Sequence, residues 1–228
     1  MAYTRGSSSN IIVGAAALFT YEAGELSDAV LPTYVDGESF RDTLTDYTTG
    51  TPATSPFRNV GYTSNGLEIQ FQPDFGEVQV DQILDVAKLY KQGMQVNLNT
   101  AFAESTLENL LFAIAGKGGV GGDLQTLSAD DVDTGLAQDS KILDLASGQL
   151  GECPVERGLV AVGPGTGDCA AGSSIERVYV AYRALSIESV TVSAKRDEAT
   201  SFEVSFRLLP ANSGSYGKIV DRVIPTAV

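Results

Sequence analysis

The residues that could carry out chemistry in this sequence are few, and their spacing does not favour catalysis. The chain has 228 residues and no histidine, so it lacks the commonest general base and transition-metal ligand. The run GKGGVGG at 116–122 superficially suggests a phosphate-binding loop, but it lacks the closing Gly-Lys-Ser or Gly-Lys-Thr of such loops and no helical pattern follows it. The end of a helix followed by a loop is the better interpretation.

Carboxylates and thiols also fail to form a recognisable site. Asp130, Asp131 and Asp133 could supply oxygen ligands to a hard cation, but they lack the spacing of an EF-hand loop, so a solvated acidic loop is favoured. Cys153 and Cys169 would pair if the loop between them folds back, although isolated cysteines without a secretion signal are more often free thiols. No carboxylate pair stands out, and no serine or cysteine has a histidine to activate it. We therefore expect no enzyme, no cofactor and no metal.

The charge of the chain argues against a surface that grips nucleic acid. There are 29 acidic and 15 basic residues, a formal charge of −14, whereas phosphate neutralisation needs clustered Lys and Arg. The simplest interpretation is solubility, and a sharper one is a surface that must not adhere to DNA. No apolar run approaches the about 20 residues that span a bilayer. The longest, 11–19, is interrupted by a glycine and has no basic flank, so neither a membrane segment nor a signal peptide is expected.

The pattern of 94–116 is that of a strand that runs directly into a helix, and we expect the other elements to be arranged around this stretch. Val96 and Leu98 alternate with polar residues, which is typical of a strand with one buried face. The period then changes to that of a helix with one apolar face. That face consists of Leu107, Leu110, Leu111 and Ile114. Ser105 and Glu108 have the spacing of a capping box, and Gly116 is suited to end the helix.

Most of the remaining pattern indicates strands. Residues 66–80 predict a hairpin with its turn at 73–76, and both polar rows of this hairpin carry Glu, Gln or Asp and no Lys. Further strands are predicted at 11–19, 155–162, 175–185, 190–194, 202–208 and 216–224. The sequence therefore predicts a mainly β protein with one short capped helix, rather than the alternation of a parallel sheet.

Three segments fall outside this pattern within what we expect to be a single domain, 1–228. Residues 1–10 resemble a mobile N-terminal arm. Residues 24–65 form a long connection, which is either a disordered loop or a loop that orders against another subunit. Its aromatic residues favour the second alternative, because disordered segments are poor in aromatics. They are Tyr34, Phe40, Tyr47, Phe57 and Tyr62. Residues 117–174 are Gly-rich and acidic at first and are interpreted as a variable insertion.

Three stretches in this order resemble a known family, the major tail tube proteins of siphophages, particularly those of phages that infect actinobacteria. The first is GYTSNGLEIQFQPDFGEVQVDQ at 61–82, and the second is GMQVNLNTAFAESTLENLLFAIAG at 93–116. The third is TSFEVSFRLLPANSGSYGKIVDRVIP at 200–225. Together they cover about a third of the chain.

The resemblance implies a two-sheet β-sandwich or half-barrel with one short flanking α-helix, a long loop and terminal arms. Six copies would close into a ring, and stacked rings would form the tail tube, through which phage DNA passes without specific binding. The acidic and amide residues of the predicted hairpin then become candidates for the lumen lining. These are Glu68, Gln70, Gln72, Glu77, Gln79 and Asp81. Such a lining would repel phosphate over about 8–10 Å at physiological salt.

The resemblance also implies partners and a location. Besides other copies of itself, the chain would contact a tape measure protein and the tail terminator and tip proteins. It would be assembled in the host cytoplasm, become part of the virion and touch no membrane. The alternative is a β-sandwich module for surface binding or adhesion, which predicts a secretion signal and a concave aromatic site. An enzyme ranks third.

Overall fold

The computed structural model contains ten strands and two helices within the residues that it describes. These residues are 12, 14–22, 24–34, 37–46, 55–82, 85–117, 123–126, 140–145, 150, 153–166, 174–193, 196–197 and 199–224. The strands are β1 (Ala17–Tyr21), β2 (Phe57–Asn59), β3 (Thr63–Val78), β4 (Lys88–Phe102), β5 (Leu124–Thr126), β6 (Lys141–Leu143), β7 (Arg157–Pro164), β8 (Ser174–Ser186), β9 (Phe202–Leu209) and β10 (Gly217–Ile224). The helices are α1 (Phe40–Asp46) and α2 (Leu107–Ala113).

Eight strands form one large antiparallel sheet, which confirms the prediction of a mainly β protein. Seven follow the order β2-β1-β7-β8-β9-β4-β3, and β10 also pairs with β8. The short strands β5 and β6 pair with each other. The expected division into two sheets is not seen in the hydrogen bonding, because the long strand β8 pairs with β7, β9 and β10 and joins both halves. The single predicted helix is α2, and α1 is an additional one.

The sheet curves so that its two halves share one core. Leu18 of β1 and Leu159 of β7 belong to the same buried cluster as Leu98 of β4 and Phe206 of β9. Three strands, β7, β8 and β9, separate β1 from β4 in the sheet. Their side chains therefore share a cluster only because the sheet bends over on itself. Helix α2 adds Phe112, whose ring stacks on that of Phe206 with centroids 4.7 Å apart.

The strands β1, β7 and β8 are buried on both faces. Successive side chains of a strand point to opposite faces, and here neighbours such as Leu18 and Phe19 enter two different clusters. The second cluster is covered by the chain that follows β1, since Leu26, Phe40 and Leu44 belong to it and are fully buried. A sheet layer covered on both sides explains why the first strand is apolar without alternation.

We refer to the described segments 24–34 and 37–46, which pack on the second cluster, as the covering layer. It corrects the interpretation of 24–65 as an inter-subunit loop. The described part of 24–65 packs on its own chain and includes α1, β2 and the start of β3. Phe40 and Phe57 are buried in the monomer, and Tyr34 packs on Phe40 with ring centroids 4.4 Å apart. Tyr47 lies outside the described residues. Tyr62, which is 79% exposed, is the aromatic residue that still needs a partner.

A buried ion pair fastens the covering layer to the sheet. The carboxylate of Glu176, on β8, accepts hydrogen bonds from the Phe40 amide at 2.9 Å and from the Ser39 hydroxyl at 2.9 Å. Arg222, on β10, donates to the same carboxylate at 2.8 Å and to the Glu38 carbonyl at 2.6 Å. The carboxylate therefore satisfies amides that the start of α1 leaves unpaired. We refer to Glu176 and Arg222 as the α1 clamp.

A second contact holds the beginning of the covering layer. The Tyr182 hydroxyl of β8 donates to Asp28 at 2.8 Å, and Lys218 of β10 forms an ion pair with Asp28 at 2.7 Å. The hydrogen bond from Lys218 holds the pKa of Asp28 below its ordinary value. Burial, followed by the hydrogen bond with Asp28, raises the pKa of Tyr182 to about 12. Both contacts join the same two strands to the chain before α1.

The predicted turn at 73–76 is wrong. β3 continues without a turn to Val78 and pairs along its length with β4, and the reversal lies between Val78 and Lys88. Pro73 is tolerated inside the strand because β3 is at the edge of the sheet, where its missing N–H has no partner to lose. The chain also carries irregularities on either side, at Ser64/Glu68 and Asp74/Phe75. Proline, aspartate and glycine here mark an irregular edge strand rather than a turn.

The cap of α2 differs by one residue from the prediction. Thr106, not Ser105, is the N-cap, and its hydroxyl accepts from the Asn109 amide at 3.2 Å. Glu108 therefore occupies the second helical position rather than the third, and it pairs with Lys141 instead of closing a capping box. The position three residues after the cap is held by Asn109, which is 1% exposed and donates to the Val60 carbonyl at 2.7 Å. The third helical position therefore carries the buried amide of Asn109, where the prediction placed the carboxylate of Glu108.

The C-terminal end of α2 also differs from the prediction. The left-handed residue is Ala115, with φ 55, and not Gly116. The Ala115 amide donates to Phe112 and the Gly116 amide donates to Leu111, which is the paired pattern of a Schellman motif. Gly116 is needed for a different reason, since an added Cβ would lie 2.5 Å from Leu111 Cδ1. The buried face is likewise rotated, because Phe112 is buried whereas Ile114 is 40% exposed.

The other predictions have mixed outcomes. Strands β8, β9 and β10 confirm the predictions near 175–185, 202–208 and 216–224. The strand predicted at 190–194 is wrong, because 187–193 contain no strand. The insertion 117–174 contains β7, whose first six residues are buried between β1 and β8, so part of it is core. Residues 1–10, the aspartates at 130–133 and Cys169 lie outside the described residues, and Cys153 is an exposed free thiol.

The end of α2 predicts a stabilising substitution. Ala115→Gly should raise the free energy of unfolding by about 1 kcal/mol, because a left-handed backbone is strained for alanine and not for glycine. Denaturant titration measures this change. Ala113→Gly, inside the helix, is the matched control and should lower the free energy of unfolding by about 1 kcal/mol or more. A loss of stability in both variants would contradict the assignment.

The α1 clamp predicts a large cost for removing one charge. Glu176→Gln should lower the free energy of unfolding by about 3 kcal/mol, because it removes the buried charge that accepts from Arg222, the Phe40 amide and the Ser39 hydroxyl. Asp221→Asn breaks the surface pair between Arg177 and Asp221 on the same two strands and should cost much less. Equal losses in chemical denaturation would show that burial of the clamp has no special role.

Candidate interaction surface

The face of the sheet opposite the first core carries ordered rows of polar side chains. The rows cross β3, β4 and β9 in register. They are Glu68–Asn99–Ser205, Gln70–Asn97–Arg207 and Gln72–Gln95. Alternation places these side chains on one face while Ile69, Leu98 and Phe206 point into the core. We refer to this face as the amide face.

Hydrogen bonds between neighbours organise the amide face. Ser205 Oγ donates to Asn99 Oδ1 at 2.7 Å, and Gln95 Nε2 donates to Asn97 Oδ1 at 3.2 Å. The β4 amides are partly buried, whereas the β3 side chains at 68, 70 and 72 are exposed. The surface presented to water thus consists of the hydrogen-bonded amides of β4 beside the exposed Glu and Gln side chains of β3. Such a surface offers hydrogen bonds without an excess of positive charge.

The structure brings together only three of the six proposed lining residues. Glu68, Gln70 and Gln72 lie on the amide face, as the alternation predicts. Glu77 lies farther along β3, opposite Leu89. By alternation it points to the same side of the strand as Ile69, and Glu68 points to the other side. Gln79 and Asp81 follow the end of β3 and lie in the connection to β4. The wrong turn prediction caused this error, because a strand that continues keeps its alternation where a turn would have reset it.

Five residues of the amide face were not among the predicted site residues. They are Gln95, Asn97, Asn99, Ser205 and Arg207. The alternation of the β4 amides is visible in the sequence, but their neighbours on β9 lie more than a hundred residues away. Nothing local shows that β4 and β9 pair, so the contribution of Arg207 could not be expected. Arg207 adds a positive charge to a face that the sequence predicted to lack one.

A two-stranded ribbon extends this sheet beyond β9. Strand β9 pairs with β4 only from Val96 to Phe102, so residues 88–95 of β4 pair with β3 alone. We refer to 72–78 and 88–95 as the distal ribbon. Within the described residues, both edges of the ribbon lack a neighbouring strand. Unpaired edges present N–H and C=O groups that another chain can bind.

Large apolar side chains are exposed along the distal ribbon and at its base. The exposed fractions are 54% for Phe71, 53% for Phe75, 41% for Val78, 59% for Leu89 and 46% for Tyr90. By alternation, Phe71, Phe75 and Leu89 lie on one face of the ribbon and Val78 and Tyr90 on the other, and neighbouring exposed apolar groups mark interaction sites more often than isolated ones. Among the described residues, the covering layer lies over β1, β7 and β8 and not over the ribbon.

No group of three or more Asp, Glu, Cys or His side chains in the described residues could hold a metal ion. No helix among them is long and apolar enough to cross a membrane. The unpaired ribbon edges and the exposed apolar side chains offer strand pairing and apolar contact. Comparison of the chain with protein-family models and with curated proteins found no match.

Removing apolar groups from the distal ribbon should weaken self-association without unfolding the chain. Phe75→Ser combined with Leu89→Ser should lower the association constant at least tenfold, about 1.4 kcal/mol, because two half-exposed side chains lose the contact that covers them. Sedimentation velocity over a concentration series measures this. The matched control is Val192→Ser, a similarly exposed residue, 45%, outside the ribbon. Equal association of the ribbon variant and the control would contradict the surface.

Proposed function

We propose that this chain is a self-assembling structural protein, the subunit of the tail tube of a long, non-contractile phage tail. Six copies form a ring, and stacked rings form a hollow tube through which DNA is ejected into the host. In this proposal other copies supply the strands and apolar surfaces that the monomer lacks.

The observation that carries the proposal is the distal ribbon. Within the described residues, neither edge of the ribbon has a neighbouring strand, its apolar side chains are exposed, and the covering layer lies elsewhere on the sheet. A folded domain that leaves such a ribbon uncovered is exposed to uncontrolled aggregation unless a closed arrangement of copies covers it. In a closed ring every ribbon edge is paired with a neighbouring copy, whereas an open row of copies would leave one unpaired edge at each end.

The amide face supports a role as the lining of a passage. Glu68, Gln70 and Gln72 are exposed on it beside the fixed amides of β4. Amides and carboxylates attract a layer of water and do not neutralise phosphate, so DNA would pass without being held. Arg207 lies on β9, with β4 between it and this exposed edge, and its positive charge would reduce the repulsion of phosphate. Screening confines the electrostatic effect to about 8 Å at physiological salt.

The covering layer changes which segments are expected to join neighbouring rings. Residues 24–34 and 37–46 are used within the monomer, so they stabilise the subunit. Tyr62, between β2 and β3, is 79% exposed and is the better candidate for a contact between copies. Residues 1–10, which we proposed as an arm, keep that expected role. The tape measure, terminator and tip proteins would bind the assembled tube in the virion.

The alternative is a β-sandwich module for surface binding or adhesion. A single chain with one large antiparallel sheet is compatible with it, since many binding modules share this architecture. Phe75, Leu89 and Tyr90, however, are exposed on the distal ribbon outside the apolar groove at its base, where a ligand-binding module would place its aromatic contacts. The ribbon therefore favours assembly over adhesion.

Electron microscopy of the concentrated full-length chain tests the proposal. We expect rings or tubes from the wild type and neither from the Phe75→Ser/Leu89→Ser variant, because association depends on covering the ribbon. Circular dichroism of the variant establishes that it is folded. Monodisperse wild-type monomers at the highest attainable concentration would overturn the proposal and favour the binding module.

Charge reversal on the amide face tests the lining. Glu68→Lys with Gln72→Lys should leave tubes intact and slow DNA ejection from phage particles, because two lysines per subunit would hold phosphate. Asp42→Lys, at an exposed acidic residue of α1 that lies outside both the amide face and the distal ribbon, is the control and should leave tubes intact and the ejection rate unchanged. An unchanged rate in the double variant would count against the assignment.

A further inference from the structure

A groove of about 630 Å³ lies where the distal ribbon leaves the body of the protein. Its walls come from β3, β4, β7, β8, β10 and the chain that precedes β10. Representative lining residues are Ile69, Phe71, Met94, Ala161, Tyr179 and Ile219. The volume lies within the roughly 300–1,000 Å³ of ligand sites in proteins, which are also mainly apolar with a few polar groups.

The groove is open because β8 divides its pairing between two partners. Its first half pairs with β10 and its second half pairs with β9. The strands β10 and β9 therefore follow one another along the same edge of β8, and β4, which pairs with β9, does not pair with β10 in the described part of the chain. The Tyr216 hydroxyl, just before β10, bridges β10 and β4 by donating to the Met94 carbonyl at 2.6 Å. This bond occupies an edge group of β4 that an added peptide strand would need, so the groove is poorly suited to strand addition.

The charge of the groove is opposite to that of the protein. Its charged lining residues are Lys91 and Lys218, and no carboxylate lines it, although the chain has 29 acidic and only 15 basic residues. Lys218 is neutralised by Asp28 at 2.7 Å. Lys91 lies near Met94, with its ammonium 3.7 Å from the thioether sulfur, and has no ion-pair partner in the described part of the chain.

We propose that this groove binds a single-chain anionic amphiphile, a medium-chain fatty acid. The acyl chain would lie against Ile69, Phe71 and Met94, and the carboxylate would pair with Lys91 at the rim. An apolar groove with one uncompensated cation matches this ligand, because burial of methylene groups supplies affinity and the ammonium selects the charged head. A second copy of the chain could also cover the groove, and the experiment distinguishes the two occupants.

Isothermal titration calorimetry with sodium laurate, below its aggregation concentration, tests the proposal. We expect saturable binding of one laurate per chain, and about tenfold weaker binding of decanoate, which lacks two methylene groups. Lys91→Gln should weaken laurate binding several-fold, whereas Lys88→Gln, on the same strand but outside the groove, should not. Phe71→Ser should weaken binding, whereas the similarly exposed Phe75→Ser should leave it unchanged.

The outcomes that overturn the proposal are distinct from failure of tube assembly. The Phe75→Ser/Leu89→Ser variant leaves the groove residues intact, so it should bind laurate even though it does not assemble. Absence of saturable binding to this variant, or equal binding by Lys91→Gln and Lys88→Gln, would exclude the fatty acid site. Laurate binding by the variant that the wild type loses as it self-associates would assign the groove to a second copy and overturn the fatty acid as its occupant.

Discussion

The structure depends on the requirement that β1, β7 and β8 be covered on both faces. These strands carry apolar residues at successive positions, so one layer of neighbours cannot bury them. The curved remainder of the sheet with α2 covers one face, and the chain between β1 and β2 covers the other. Outside α1, the described part of that chain, 24–34 and 37–46, forms no helix or strand, and the α1 clamp and the Asp28 contacts hold it to the sheet. A buried ion pair adds directionality that apolar packing does not have.

The same requirement bears on the distal ribbon. In the described part of the chain, the covering layer is used over the centre of the sheet and not over the ribbon. Beyond β9, strands β3 and β4 continue as a ribbon with apolar side chains and free edges. The irregularities of β3 and Pro73 reduce the regularity of the outer edge, as is common in edge strands that must not aggregate. The covered centre of the sheet thus stabilises the fold, and the distal ribbon of the same sheet offers the proposed interaction surface.

The sequence predicted elements well where the signal was local and less well where it depended on neighbours. Strand β9 was predicted within a residue, because its alternation is regular. Ser105 and Thr106 are both suitable caps, and the structure uses Thr106, whose hydroxyl accepts from the amide of Asn109, while the buried Asn109 side chain donates to the Val60 carbonyl just after β2. Pro73, Asp74 and Gly76 were interpreted as a turn because their composition is that of turns. Pairing with β4 overrode that composition.

The sequence by itself determined the mainly β character, the existence of α2, the polar alternation of Glu68, Gln70 and Gln72, and the lack of histidine chemistry. These properties follow from residue type and from periods of two or 3.6 residues, which are local quantities. Only the tertiary structure decided that β4 lies beside β9, that 24–46 covers its own sheet and that the groove opens beside Lys91. Each of these is a contact between segments far apart in the chain, and local periodicity carries no information about which distant surfaces meet.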